Sequence, residues 1–192
     1  MSFLNRFRDV FIFVGSLWAV FALNWILSGA LYQYGLVPRH METLPGILVS
    51  PFLHGDYVHL ISNSVPLLIL GCLVSLERSG ERRGQFRSVC LALILFSGGL
   101  VWCFGRTALH IGASGVVYGF LGYLLGSAWW RRDFRSIIIA VFVLALYSGL
   151  ISGLFIPMKG ISLEAHLFGF LSGGLIACVL YSPKWNKYRA HK

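Results

Sequence analysis

Three short stretches of this 192-residue chain set proton-moving side chains in apolar surroundings. They are the segment from His54 through His59 to Asn63, the segment Gly112-Ala113-Ser114-Gly115-Val116-Val117-Tyr118, and the segment Glu164-Ala165-His166-Leu167-Phe168-Gly169. A serine hydroxyl such as that of Ser114 becomes a nucleophile only when a base takes its proton. His166 suits that role, because an imidazole accepts a proton near neutral pH and can return it to a leaving amine. His59 and Asn63 are four residues apart, on one helix face, and carry N–H donors for a developing oxyanion. The backbone N–H of Ser114 is a third donor, at a helix start where free N–H groups and the positive dipole end face the site. The nearby acids are Asp56 and Glu164, and Glu164, two residues before His166, points elsewhere on its helix. The set therefore reads as a Ser–His dyad without an orienting acid, with Tyr118 one turn after Ser114 to hold the imidazole by packing. Nucleophile, base and oxyanion donors together describe hydrolysis of a peptide or ester bond.

The elements that must position these residues are membrane helices. Hydrophobic residues make up 57% of the chain and charged residues 12%, about half the charged share usual in soluble domains. The mean hydropathy is +0.74. A soluble domain and a disordered chain are both excluded. About 20 apolar residues cross the hydrocarbon core as a helix. Six runs qualify, at 10–28, 57–76, 88–105, 113–130, 136–156 and 164–182, without the period-two alternation of a barrel strand. The expectation is an all-α membrane protein, one six-span domain over residues 1–192, its first span uncleaved. No strand precedes Ser114, so the nucleophile elbow of soluble α/β-hydrolases is rejected.

Basic residues orient the spans. Arg6 and Arg8 precede span 1; Arg78, Arg82, Arg83 and Arg87 separate spans 2 and 3; Arg131, Arg132 and Arg135 separate spans 4 and 5; Lys184, Lys187, Arg189 and Lys192 follow span 6. Only Arg39, Arg106 and Lys159 fall on the other side. The positive-inside rule places both termini in the cytoplasm, and Trp129, Trp130 and Trp185 read as interfacial anchors. The strict alternation of charge between loops favours topology over nucleic-acid binding. Spans 2, 4 and 6 then run inward, and the three clusters share one shallow level at the outer end. Ionisable side chains at membrane depth point to function rather than packing.

Glycine spacing supports convergence. Gly115, Gly119, Gly122 and Gly126 line one face of span 4, while His166, Gly169 and Gly173 share a face of span 6. Such stripes admit close helix approach, which would bring Ser114 near His166. Gly119→Val is accordingly expected to wedge spans 4 and 6 apart. No metal or other cofactor is required, and Cys72, Cys90, Cys103 and Cys178 are too scattered for a zinc site. His40, His110 and His191 carry no chemistry in this reading. The first loop and the 157–163 loop are candidate gates for a cavity that admits water.

These residues resemble the rhomboid intramembrane serine proteases over nearly the whole chain. The family's His, second His and Asn are met by His54, His59 and Asn63. Its GxSG with a following Tyr is met by Gly112, Ser114, Gly115 and Tyr118, and its AHxxGxxxG by Ala165, His166, Gly169 and Gly173. The resemblance implies a six-transmembrane-helix rhomboid-like bundle, Ser114 as nucleophile, His166 as general base, and Asn63, His59 and the Ser114 amide as oxyanion hole. It implies membrane-anchored protein substrates cut near the outer face. The Trp-Arg pair that many members carry in the first loop is absent; Leu44-Pro45-Gly46-Ile47 stands there. The expected location is a bacterial inner membrane, with the site opening to the periplasmic or extracellular side. A non-catalytic rhomboid-like binder of membrane helices, a rhombosortase-like processor of C-terminal sorting signals and a small transporter are the alternatives. No internal repeat or midplane charge supports the last. Oligomeric state and physiological substrate are not encoded in any of these motifs.

Overall fold

The computed structural model describes residues 3–76, 85–155 and 162–183. Arg78, Arg82, Arg83, Lys159 and the basic tail from Lys184, with Trp185 and His191, lie outside the described residues, as does most of the 157–163 loop. The long helices are α1 (Phe3–Ile26), α3 (Tyr57–Leu76), α4 (Gln85–Phe104), α5 (Ser114–Arg131), α6 (Phe134–Ser152) and α7 (Leu163–Tyr181). The first loop folds into 3-10 turns around a short helix α2 (Gly46–Val49). Among the described residues there is no strand, only an isolated bridge between Leu36 and His110.

Five helices, α1, α3, α4, α6 and α7, are long and apolar enough to cross a membrane. The chain is an integral membrane protein built as a helical bundle. The fourth expected span, α5, is not among those five, and its burial explains why. Every residue from Val116 to Leu124 is buried, so α5 meets other helices rather than lipid and can carry glycine, tyrosine and serine. The outer helices instead bury a stripe. In α1 the buried positions are Phe7, Val10, Val14, Leu17, Phe21 and Asn24, alternating steps of three and four that hold one face to the bundle.

The closest seam joins α5 to α7. A Cβ on Gly169 would overlap the Gly115 carbonyl, one on Gly173 the Gly119 carbonyl, and one on Gly122 the Phe170 carbonyl. Backbone touches backbone at these positions, as small-residue stripes permit in membranes. Gly119 corrects the sequence expectation. Its own missing Cβ faces the Leu93 side chain of α4, so Gly119→Val would press on α4, and the wedge between α5 and α7 belongs to Gly122, Gly169 and Gly173.

The two ends of the bundle differ. At one, Arg87 pairs with Asp9, Arg135 donates to the Leu76 carbonyl, and Arg131 pairs with Asp133 at 2.7 Å. A polar knot sits there too: Tyr123 and Tyr181 hydroxyls are 2.6 Å apart, and Gln85 Nε2 donates to both. The opposite end carries the first loop and all three polar clusters.

Candidate active site

The nucleophile candidate sits at a helix start built by a left-handed turn. Gly112 has φ +107°, a conformation that favours glycine, and a side chain there would overlap the His59 ring. Gly112 N–H donates to the Ser50 carbonyl at 2.9 Å. Ala113 N–H donates to His54 Nε2 at 3.4 Å. Val116 and Val117 N–H both return to the Ala113 carbonyl. Among the described residues, the N–H groups of Ser114 and Gly115 have no such partner, which leaves them as free donors at the positive end of α5.

His54 belongs to the loop before α3. It is 1% exposed, and its Nδ1 lies 3.3 Å from the Phe52 carbonyl. Burial, with the neighbouring His59 charge second, pushes its pKa down to about 4. A neutral ring with Nδ1–H and a basic Nε2 fits both contacts. His54 therefore holds the turn before Ser114. Its ring meets that of His59 edge-on, with centroids 5.0 Å apart.

His59 and Asn63 share the start of α3, capped by Asp56, whose carboxylate accepts from His59 N–H at 2.8 Å. Asn63 is buried and uses one amide hydrogen on the His59 carbonyl at 2.8 Å. The other amide hydrogen is not committed by that bond.

His166 is buried one turn into α7. Its ring stacks on Tyr118, centroids 3.9 Å apart at 16°. Its Nδ1 lies 3.0 Å from the Gly153 carbonyl at the end of α6. Ser114 and His166 flank the Gly115–Gly169 backbone contact, and no hydrogen bond joins their side chains among the described residues. Catalytic hydrogen bonds are often loose before substrate binds.

Sequence reasoning missed His110. It is buried; its Nδ1 lies 2.8 Å from Ser162 Oγ and its Nε2 donates to the Arg106 carbonyl at 3.0 Å. Ser162 Oγ in turn caps α7 by accepting from Ala165 N–H at 3.1 Å, and Glu164 pairs with Arg106. His110 thus ties the loop leading to Ser114 to the start of the helix carrying His166. Its only sequence signal was a histidine four residues before the serine. The first loop is anchored without the adjacent Trp-Arg pair. Arg39 donates to the Gly105 carbonyl and Thr107 hydroxyl, both at 2.7 Å, while Trp102 Nε1 donates to the His40 carbonyl at 3.2 Å. A cavity of about 40 Å³ lies behind the turn, lined in part by Ser50, Ser97, His110, Gly112 and Ser162. It has room for ordered water. No group of three or more potential metal ligands occurs among the described residues.

The Rhomboid domain family matches residues 42–183 of the chain, which contain His54, His59, Asn63, His110, Ser114, Tyr118 and His166. The chain belongs to the rhomboid family. Individual relatives agree with the match. The "Uncharacterized protein Rv1337" of Mycobacterium tuberculosis is 33% identical, over 94% of this chain and 77% of its own length. A protein of Mycobacterium leprae is 32% identical, over 94% and 73%. "RHOMBOID-like protein 4" of Arabidopsis thaliana is 33% identical, over 70% of this chain and 33% of its own length. Membership in the rhomboid family supports a protease-type function inside the membrane.

Proposed function

We propose that this rhomboid is an active serine endopeptidase that cuts membrane-anchored proteins in or beside their transmembrane segments. Ser114 Oγ attacks the scissile carbonyl carbon while His166 Nε2 takes its proton. The electron pair moves to the carbonyl oxygen, which the Ser114 N–H, Asn63 and His59 receive. Collapse expels the amine, which takes the proton from His166. Water, deprotonated by the same imidazole, then releases the acyl group from Ser114.

The observation that carries this reading is the placement of Ser114. It heads a buried helix with its own N–H unpaired, and a glycine-on-glycine backbone contact sets that helix start against the helix of His166. The charge pattern supports cytoplasmic termini and a site opening to the outer face of a bacterial inner membrane.

The test is cleavage of a fluorescently tagged single-span protein in proteoliposomes, with fluorophosphonate labelling alongside. Product and labelling in the wild type, both abolished in Ser114→Ala and His166→Ala, are expected. A folded wild type that neither cleaves nor labels would overturn the reading in favour of a non-catalytic binder of membrane helices.

A further inference from the structure

The dyad lacks an acid to orient its base, yet the imidazole is not left to rotate. A carbonyl oxygen can only accept, so the 3.0 Å contact between His166 Nδ1 and the Gly153 carbonyl requires the proton on Nδ1. The neutral ring then presents Nε2 as its basic atom. That carbonyl is available because Gly153 is the C-cap of α6, where the last carbonyls of a helix have no partner within it. The C-terminal end of a helix also carries partial negative charge, which favours the imidazolium formed when the base takes a proton.

Gly153 itself is explained by the same contact. Its φ of −66° and ψ of −9° suit any residue, so the backbone does not demand glycine. A Cβ there would overlap the Tyr118 hydroxyl. Tyr118 is the side chain stacked on the His166 ring. By contrast, Gly149, one turn earlier in α6, has nothing within 4 Å of an added Cβ. The three groups lock one another: the Gly153 carbonyl on the edge of the imidazole, Tyr118 on its face, and the bare Gly153 Cα against the Tyr118 hydroxyl.

We infer that Gly153 is a positioning residue for the base, its carbonyl standing in for the missing acid and its bare Cα admitting Tyr118. The inference rests on the assignment of His166 as the base. It makes the working tautomer depend on where α6 ends. That helix is the least buried of the five apolar spans, and its helical geometry is already interrupted at Tyr147.

Two measurements test it on the full chain. Selective 15N-histidine spectra, with His166 assigned by His166→Gln, report the tautomer without any need for turnover. Above the imidazole titration range, the wild type is expected to carry its proton on Nδ1, and Gly153→Ala to become a tautomer mixture. An Nε2-protonated wild type, or a Gly153→Ala spectrum identical to it, would overturn the inference. The second measurement is steady-state cleavage. Gly153→Ala is expected to lower kcat roughly ten- to a hundredfold with KM within about twofold, since orientation of the base acts on the chemical step. In a Tyr118→Phe background, where the obstructing hydroxyl is gone, the same substitution should cost less than about threefold. Equal costs in both backgrounds, or a change confined to KM, would reject the lock. A wild type with the Nδ1 tautomer but no fluorophosphonate labelling would sink the protease reading and leave the lock standing.

Discussion

At the residue scale, His54 shows how a side chain outside the proposed Ser114–His166 pair shapes the candidate site. Its Nε2 accepts from Ala113 N–H, directly before Ser114. A protonated ring has no lone pair to accept that bond. Burial holds its pKa near 4 against an ordinary 6.5. The unfolded chain therefore binds a proton at this residue that the folded chain refuses. Its stabilising effect is complete above about pH 6.5 and is lost as pH falls through 4, on the order of a few kcal/mol in all. The expected outcome is a melting temperature that falls between those limits, with a shallower fall in His54→Gln, whose amide oxygen can still accept from Ala113. Parallel slopes for the two proteins would show that His54 is not the titrating group.

At the scale of elements, the α5–α7 seam decides whether Ser114 and His166 share a site at all. Adjacent glycines of α7 make an internal comparison. Gly173 meets the Gly119 carbonyl and the Tyr123 amide of α5, whereas Gly174 has open space where a Cβ would go. Gly173→Ala must push backbone from backbone, and a loss of several kcal/mol with loss of activity is expected. Gly174→Ala gains helix propensity, up to about 1 kcal/mol, with no clash. Thermal unfolding in detergent reads both, and a seam in which the two variants melt alike is not packed as described. Ser162 belongs to the same scale. It caps α7 and meets His110 from the loop before Ser114, so one hydroxyl registers that loop against the helix of His166.

At the scale of the molecule, the bundle separates a basic end from a site end. Arg8, Arg87, Arg131, Arg132 and Arg135 gather at one, and Arg39, Arg106 and the first loop at the other. The proposed orientation is checked with single cysteines in a chain stripped of its own four. Met41→Cys, at an exposed position of the first loop, should react with a membrane-impermeant maleimide on intact cells. Arg132→Cys, exposed at the basic end, should react only after permeabilisation. The reverse pattern would invert the topology and place the site in the cytoplasm.

The run of α3, Tyr57–Leu76, and the sites of all six long helices were legible in the sequence, because lipid leaves a backbone few options and demands long apolar runs. The residues of the candidate site stood out as well, since ionisable side chains at membrane depth are costly. Helix α5 is a different case. Its glycine spacing announced close packing, but which glycine faced which neighbour depended on helix rotation, and Gly119 turned toward α4. His110 looked incidental because its partners, Ser162 and the Arg106 carbonyl, come from separate segments. Gly153 was invisible for the same reason: its role is a bare Cα against a tyrosine hydroxyl and a carbonyl against an imidazole. Composition and periodicity follow the chain, so they determined the apolar spans and set out the candidate groups. The partners of each group lie across helices, and only the tertiary packing decided them.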